Sequence, residues 1–218
     1  MIKACIFDMD GLLLDTERQM YLQGGLKISA ELGRPVSERS LRAMMGLNWT
    51  DYYARIKEEY GEDYPIDAYR EKFLEHVDHM ISEFAFDLRP GVKEVLDFCK
   101  AHHLPMAVAT STPQERTLKC LKNAGILDCF DVVMSGDMVQ NGKPDPEIYL
   151  TAAGKLGVSK EDAIVFEDGH NGALAALNGG FRLILVEDLA RITDEDREKA
   201  LMVLNRIDQA LPYMEKEL

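Results

Sequence analysis

The sequence predicts an α/β fold: a Rossmann-like parallel sheet core with helices on both faces, plus an inserted all-helical cap domain. Three observations lead there. Short, almost continuously apolar or β-branched runs alternate with helical patterns. The alternation lapses between Thr16 and Leu88, and polar clusters recur where the apolar runs end. Runs apolar on both faces suit strands covered on both sides. Strand–helix alternation argues for parallel strands whose loops gather at the carboxyl edge of the sheet.

In chain order, Lys3–Phe7 is the first expected strand. Amphipathic segments Arg18–Leu32, Ser37–Met45, Trp49–Tyr60 and Ile66–Phe84 follow and make the helical insertion. Helix Val92–Ala101 leads to strand Met106–Thr110, helix Gln114–Ala124 to strand Asp131–Ser135, and helix Glu147–Leu156 to strand Ala163–Phe166. Helix Gly172–Asn178 precedes strand Arg182–Val186. Pro113 and Pro146 fit first helical turns, Asp145 an N-cap, and Gly125, Gly157 and Gly179–Gly180 helix ends. Thr193 to Leu218 reads as one or two acidic amphipathic helices. The expected division is a core of residues 1–15 and 89–218 and a cap of residues 16–88.

Composition narrows the function. The 218 residues carry 25 Lys and Arg against 38 Asp and Glu, a net charge of −13. So acidic a surface repels phosphate backbones and anionic lipid, so neither nucleic acid nor membrane is the expected partner. The opening MIKACIFDMD has too few apolar residues for a signal peptide, and no run approaches the ~18 apolar residues of a spanning helix. Cys5, Cys99, Cys120 and Cys129 lack C-x-x-C spacing, which suits reduced thiols in a cytoplasmic protein and not a zinc site. A monomer is the expectation for a capped domain of this size.

Four polar clusters stand at expected strand ends. Asp8 and Asp10 lie two residues apart on extended chain and can address one small volume, with Gly11 supplying a turn. Thr110, Ser111 and Thr112 offer hydroxyls and free N–H groups before a helix, suited to an anion. Lys143 precedes Pro144, which favours an extended backbone and an ammonium presented outward from a stiff loop. Glu167, Asp168 and Gly169 form the fourth cluster. Taken singly, each also reads as ordinary capping or turn chemistry. Together they converge on one crevice of a parallel sheet, where acidic oxygens suit a hard cation such as Mg²⁺ and the lysine and hydroxyls suit phosphate.

The set DMDGLLLDT, DLRPGV, ATST, GKPDP and FEDGHNG resembles, in order and across essentially the whole chain, the haloacid-dehalogenase superfamily of phosphatases, and within it the β-phosphoglucomutase-like subgroup. The resemblance implies Asp8 as the nucleophile forming an aspartyl phosphate and Asp10 as general acid, then base. It implies phosphate binding by Thr110, Ser111, Lys143 and Gly11, with Lys143 also offsetting charge beside Asp8. Mg²⁺ would be held by Asp8, the Asp10 carbonyl and Asp168, with Glu167 ligating directly or through water. Dehalogenases of the superfamily lack the second aspartate, so Asp10 favours phosphoryl transfer.

The mutase pattern carries a histidine, a tryptophan and a basic pair where this chain has Met20, Gly24, Met45 and Trp49. An apolar Met45/Trp49 surface cannot hold a remote phosphate, so the expected activity is Mg²⁺-dependent hydrolysis of a small phosphorylated metabolite, a sugar phosphate or nucleotide-like monoester. A sugar-phosphate mutase is the alternative, with Arg39, Arg42 or Lys72 available to a distal group. A phosphoacceptor signalling domain is more remote, being half as long and lacking the helical insertion. Met20, Tyr21 and Trp49 suit a partly apolar leaving group, or simply packing between cap and core. His170 follows the acidic pair closely enough to reach substrate.

Overall fold

The computed structural model describes residues 1–45, 49–83 and 85–218. Strand β1 (Ala4–Phe7) is followed by a π-helical turn at Glu17–Leu22 and helices α1 (Gln23–Glu31), α2 (Glu38–Met44), α3 (Trp49–Tyr60) and α4 (Ile66–Glu83). Then come α5 (Val92–Ala101), β2 (Met106–Ala109), α6 (Gln114–Asn123), β3 (Val132–Met134) and α7 (Glu147–Leu156). The chain closes with β4 (Ala163–Glu167), α8 (His170–Gly179), β5 (Arg182–Val186), α9 (Asp194–Lys199), β6 (Met202–Leu204) and α10 (Leu211–Glu217).

The strands form one sheet of order β3-β2-β1-β4-β5-β6, parallel at each pairing. Alternation along β1 explains the two layers. Cys5 and Phe7 pack with Val95, Cys99 and Leu121 of α5 and α6 on one face, while Ile6 packs with Tyr149, Ala152 and Ala176 of α7 and α8 on the other. The sheet order turns around β1, which β2 and β4 flank, so the crevice of this sheet opens at the carboxyl end of β1.

The insertion is held by its own apolar stripe. Tyr69, Phe73, Val77 and Ile81 repeat every four residues on α4 and are buried. Ser37 caps α2 by accepting the Ser40 N–H at 3.1 Å. The chain enters and leaves this layer side by side. Leu14 and Leu88 form an antiparallel bridge, Asp15 N–H donates to Asp87 O at 2.9 Å, and Arg89 N–H donates to Leu13 O at 2.9 Å. Arg18 and Arg89 both reach Asp188 beyond β5, at 2.9 and 3.1 Å, and Arg89 also reaches Asp15 at 3.3 Å. On the opposite side, Arg116 of α6 pairs with Asp78 of α4.

Two expectations need adjustment. The segment 193–218 is not purely helical: Met202–Leu204 adds a parallel edge strand beside β5. Only three residues long and with one of them exposed, it lacks the continuous apolar run that marks the inner strands. The expected helix Arg18–Leu32 opens with the π-helical turn. Phe84, placed at the end of the expected helix Ile66–Phe84, lies outside the described residues. Among the described residues, no helix is long and apolar enough to cross a membrane.

Candidate active site

The end of β1 builds the site. Asp8 is 7% exposed, and its N–H continues the ladder to Phe166 O at 3.0 Å, so its side chain is anchored by the sheet. Lys143 reaches it from the loop before α7, with Nζ 2.5 Å from Asp8 Oδ1 and 2.6 Å from Glu167 Oε1. The lysine is therefore buried beside Asp8, where the resemblance places it, although taken singly it reads as a turn residue presented outward before Pro144; two buried carboxylates compensate its charge. Burial disfavours its charged form, but Asp8 and Glu167 outweigh that and hold its pKa above the ordinary lysine range.

Glu167 is enclosed by donors. Tyr149 OH and Lys143 donate to Oε1, and the N–H groups of Asp168 and Gly169 donate to Oε2 at 3.0 and 3.2 Å. Gly172, in the first turn of α8, leaves the space this carboxylate fills: a Cβ there would overlap it. Lys143 also lies 4.8 Å from the centre of the Tyr149 ring.

Asp8, Glu167 and Asp168 present ligand oxygens within 4.8 Å of one another, all buried. Asp168 Oδ2 is buried without a hydrogen-bond partner. Burial, and then neighbouring Glu17 and Asp8, raise the Asp168 pKa well above the carboxylate range. An all-oxygen set holding an unpartnered buried carboxylate oxygen fits a hard divalent cation such as Mg²⁺. Gly11 adopts a left-handed φ of 83°, and a Cβ at that position would overlap Asp168 Oδ2.

Asp10 is held apart from that group. Its Oδ2 accepts from Thr110 Oγ1 at 3.2 Å and Thr112 Oγ1 at 2.7 Å, while Thr110 Oγ1 accepts the Thr112 N–H at 3.1 Å. Thr110 thus directs its hydroxyl at Asp10, and Ser111 stands beside it on the wall of a cavity. His170 is turned to Asp196, whose Oδ2 lies 2.7 Å from Nδ1 and also accepts the Thr193 N–H at 2.8 Å.

The cavity lies between the sheet edge and the insertion and encloses about 430 Å³. Asp10, Ser111 and Thr112 form its floor; Tyr21, Met45, Trp49 and Phe73 are among the residues of its roof. Glu17 enters at the boundary. Burial, with Asp10 the next cause, raises its pKa to about 7.

The structure thus brings Asp8, Asp10, Gly11, Thr110, Ser111, Lys143, Glu167 and Asp168 to one sheet edge. Sequence reasoning placed Thr112 in the anion-suited cluster but did not pair it with Asp10, and it assigned no role to Glu17, Tyr149 or Gly172. The shared direction of Thr110 and Thr112 could have been found by the i, i+2 rule that singled out Asp8 and Asp10, since they are spaced alike. Tyr149 and Gly172 act from helices behind the site and carry no local signal.

Known proteins resemble this chain over most of its length. The family profile of haloacid dehalogenase-like hydrolases matches residues 5–186. The phosphorylated carbohydrates phosphatase of Thermotoga maritima is 36% identical over 183 residues, covering 84% of each chain. Hexitol phosphatase B of Escherichia coli is 32% identical over 192 residues, covering 85% of this chain and 83% of that one. Among solved structures, a Thermotoga maritima protein provisionally named a beta-phosphoglucomutase superposes with a TM-score of 0.81 at 32% identity over 100% of both chains.

Proposed function

Since the chain belongs to the haloacid dehalogenase-like hydrolases and is a phosphatase among them, we propose that it hydrolyses a small phosphate monoester by Mg²⁺-dependent transfer of the phosphoryl group to Asp8. One observation carries this reading. Asp8 stands at the sheet's switch point against Lys143, while a second carboxylate two residues on is reserved by two hydroxyls for another task.

Asp8 attacks phosphorus through a carboxylate oxygen, the bond from phosphorus to the leaving oxygen breaks, and Asp10 gives that oxygen its proton. Because Asp10 Oδ2 accepts from both threonines, the transferable proton resides on Oδ1. Asp10, now a carboxylate, takes a proton from water as the water oxygen attacks the aspartyl phosphate; inorganic phosphate leaves and Asp8 is regenerated. Lys143 fixes Asp8 and offsets the charge of the incoming phosphate. The Ser111 N–H and Gly11 backbone serve the phosphoryl oxygens.

Asp8, Asp168 and the Asp10 carbonyl would hold Mg²⁺, which when bound would supply the charge that lets a dianionic phosphate approach a carboxylate. Glu167 has four donors on its two oxygens and acts by orienting Lys143, so any role toward the cation runs through water. The insertion, residues 16–88, serves as a cap that closes the cavity over the leaving group and limits water.

Turnover of p-nitrophenyl phosphate with and without Mg²⁺ tests the proposal, with Asp8→Asn alongside. Wild type should turn over only with metal, and Asp8→Asn not at all. Asp10→Asn should still trap phosphate on Asp8 from this good leaving group. Turnover surviving Asp8→Asn would overturn the nucleophile.

A further inference from the structure

The cavity that would receive the leaving group is charged in an unusual way. Two carboxylates, Asp10 and Glu17, border it, and among the described residues no Lys, Arg or His lines it. Arg39, Arg42 and Lys72, the candidates for a distal anion, do not reach its wall, and Arg42 is paired with Glu38 at 2.6 Å. Arg116 borders a smaller adjoining hollow of about 300 Å³ but is held by Asp78. A second phosphate or carboxylate on the substrate would therefore find no cation on the wall of this cavity, the flanking ones being Arg116 in the adjoining hollow and Arg70, 5.4 Å from the centre of the Trp49 ring.

The far end is aromatic. Trp49 lies edge-on to Phe73 and Tyr52, with centroids 6.0 and 5.3 Å away, and Tyr21 packs 5.7 Å from Phe73. Met44 and Met45 complete an adaptable apolar wall. Glu17 Oε2 is buried without a hydrogen-bond partner, an acceptor at the boundary between polar floor and apolar roof. The cavity thus runs from acid and hydroxyls, through one unsatisfied acceptor, to flat rings.

We infer that the preferred substrate is the monophosphate of an uncharged alcohol bearing a flat or aromatic ring, of nucleoside size, and that bisphosphates are rejected. The ring stacks within the Tyr21, Trp49 and Phe73 group, and a hydroxyl or N–H of the leaving group donates to Glu17 Oε2. This rests on the phosphatase reading and names the substrate class for the same site.

The chain's single tryptophan, Trp49, is a reporter inside the cavity. Wild type is assayed with Mg²⁺ on a nucleoside 5′-monophosphate, a hexitol monophosphate and a hexose bisphosphate. Tryptophan emission of Asp8→Asn is titrated with the same three compounds. The expected result is kcat/KM about tenfold higher for the ring-bearing monophosphate than for the hexitol phosphate, the scale of one aromatic contact. It should be higher still over the bisphosphate, and emission should change only with the ring-bearing compound. Trp49→Ala should shrink the preference ratio to about threefold or less, a readout independent of the active fraction. Preference for the hexitol phosphate or the bisphosphate would overturn this inference and leave the phosphatase standing. Failure to hydrolyse any monoester with Mg²⁺ would instead overturn the phosphatase reading itself.

Discussion

The Thr112 hydroxyl donates a hydrogen bond to Asp10 Oδ2 across 2.7 Å, although the two residues are 102 positions apart in the chain. That bond, with the longer one from Thr110, fixes the rotation of the carboxyl group meant to protonate the leaving oxygen. Thr112→Val removes the shorter donor at nearly constant volume. We expect kcat to fall about tenfold on an alkyl phosphate and less on p-nitrophenyl phosphate, whose leaving group needs little protonation. Equal losses on both substrates would show that Thr112 serves something other than Asp10.

Lys143→Met should be costly twice over. It leaves Asp8 and Glu167 buried without their shared cation, and breaking a buried pair costs about 3–5 kcal/mol. Urea denaturation should register that loss, and kcat should fall by roughly 10²–10³ as charge beside Asp8 goes uncompensated.

Gly172→Ala and Gly154→Ala separate space from helix propensity. Both glycines lie in helices, but a Cβ at position 172 would overlap the Glu167 carboxylate, whereas at 154 it meets open space. The first change should destabilise by about 1–3 kcal/mol through overpacking and displace Lys143. The second should stabilise by about 0.5–1 kcal/mol through its propensity alone. Thermal unfolding of the pair checks both signs.

Metal should reverse a stability order. Without it, Asp168 is a buried carboxylate beside two others, so Asp168→Asn should melt above wild type. With Mg²⁺ at a hundred times its Kd, binding adds about 2.7 kcal/mol to wild type and should place it above the variant. Melting curves with Mg²⁺ and with chelator measure this, and a parallel rise of both proteins would argue against Asp168 as a ligand.

Much of this was legible because one regularity did the reporting. Inner strands buried on both faces need unbroken apolar runs, and in this sheet a polar residue that ends such a run emerges at the same edge as the others. Asp8, Thr110 and Asp168 all announce themselves in that way. Residues acting from behind do not: Tyr149 is one aromatic in an apolar helix face, and its bond to Glu167 exists only once α7 packs on the sheet. Strand β6 escaped because an edge strand is half exposed and short, and its ladder partner, not its own composition, makes it a strand. Lys143 taken singly reads as a turn residue, and only its convergence with the other clusters places it at Asp8. A stiff loop sets where a lysine stands, but the buried anions it meets decide where it points.

The bridge between Leu14 and Leu88 has an architectural consequence. Because both ends of the inserted stretch are stitched together there, the sheet experiences it as a closed loop, and closure entropy grows only logarithmically with loop length. Whole helices can thus be added, trimmed or exchanged above that stitch with little disturbance of the strand ladder beneath. Selectivity can be redrawn in one piece of chain while the reacting groups stay in another.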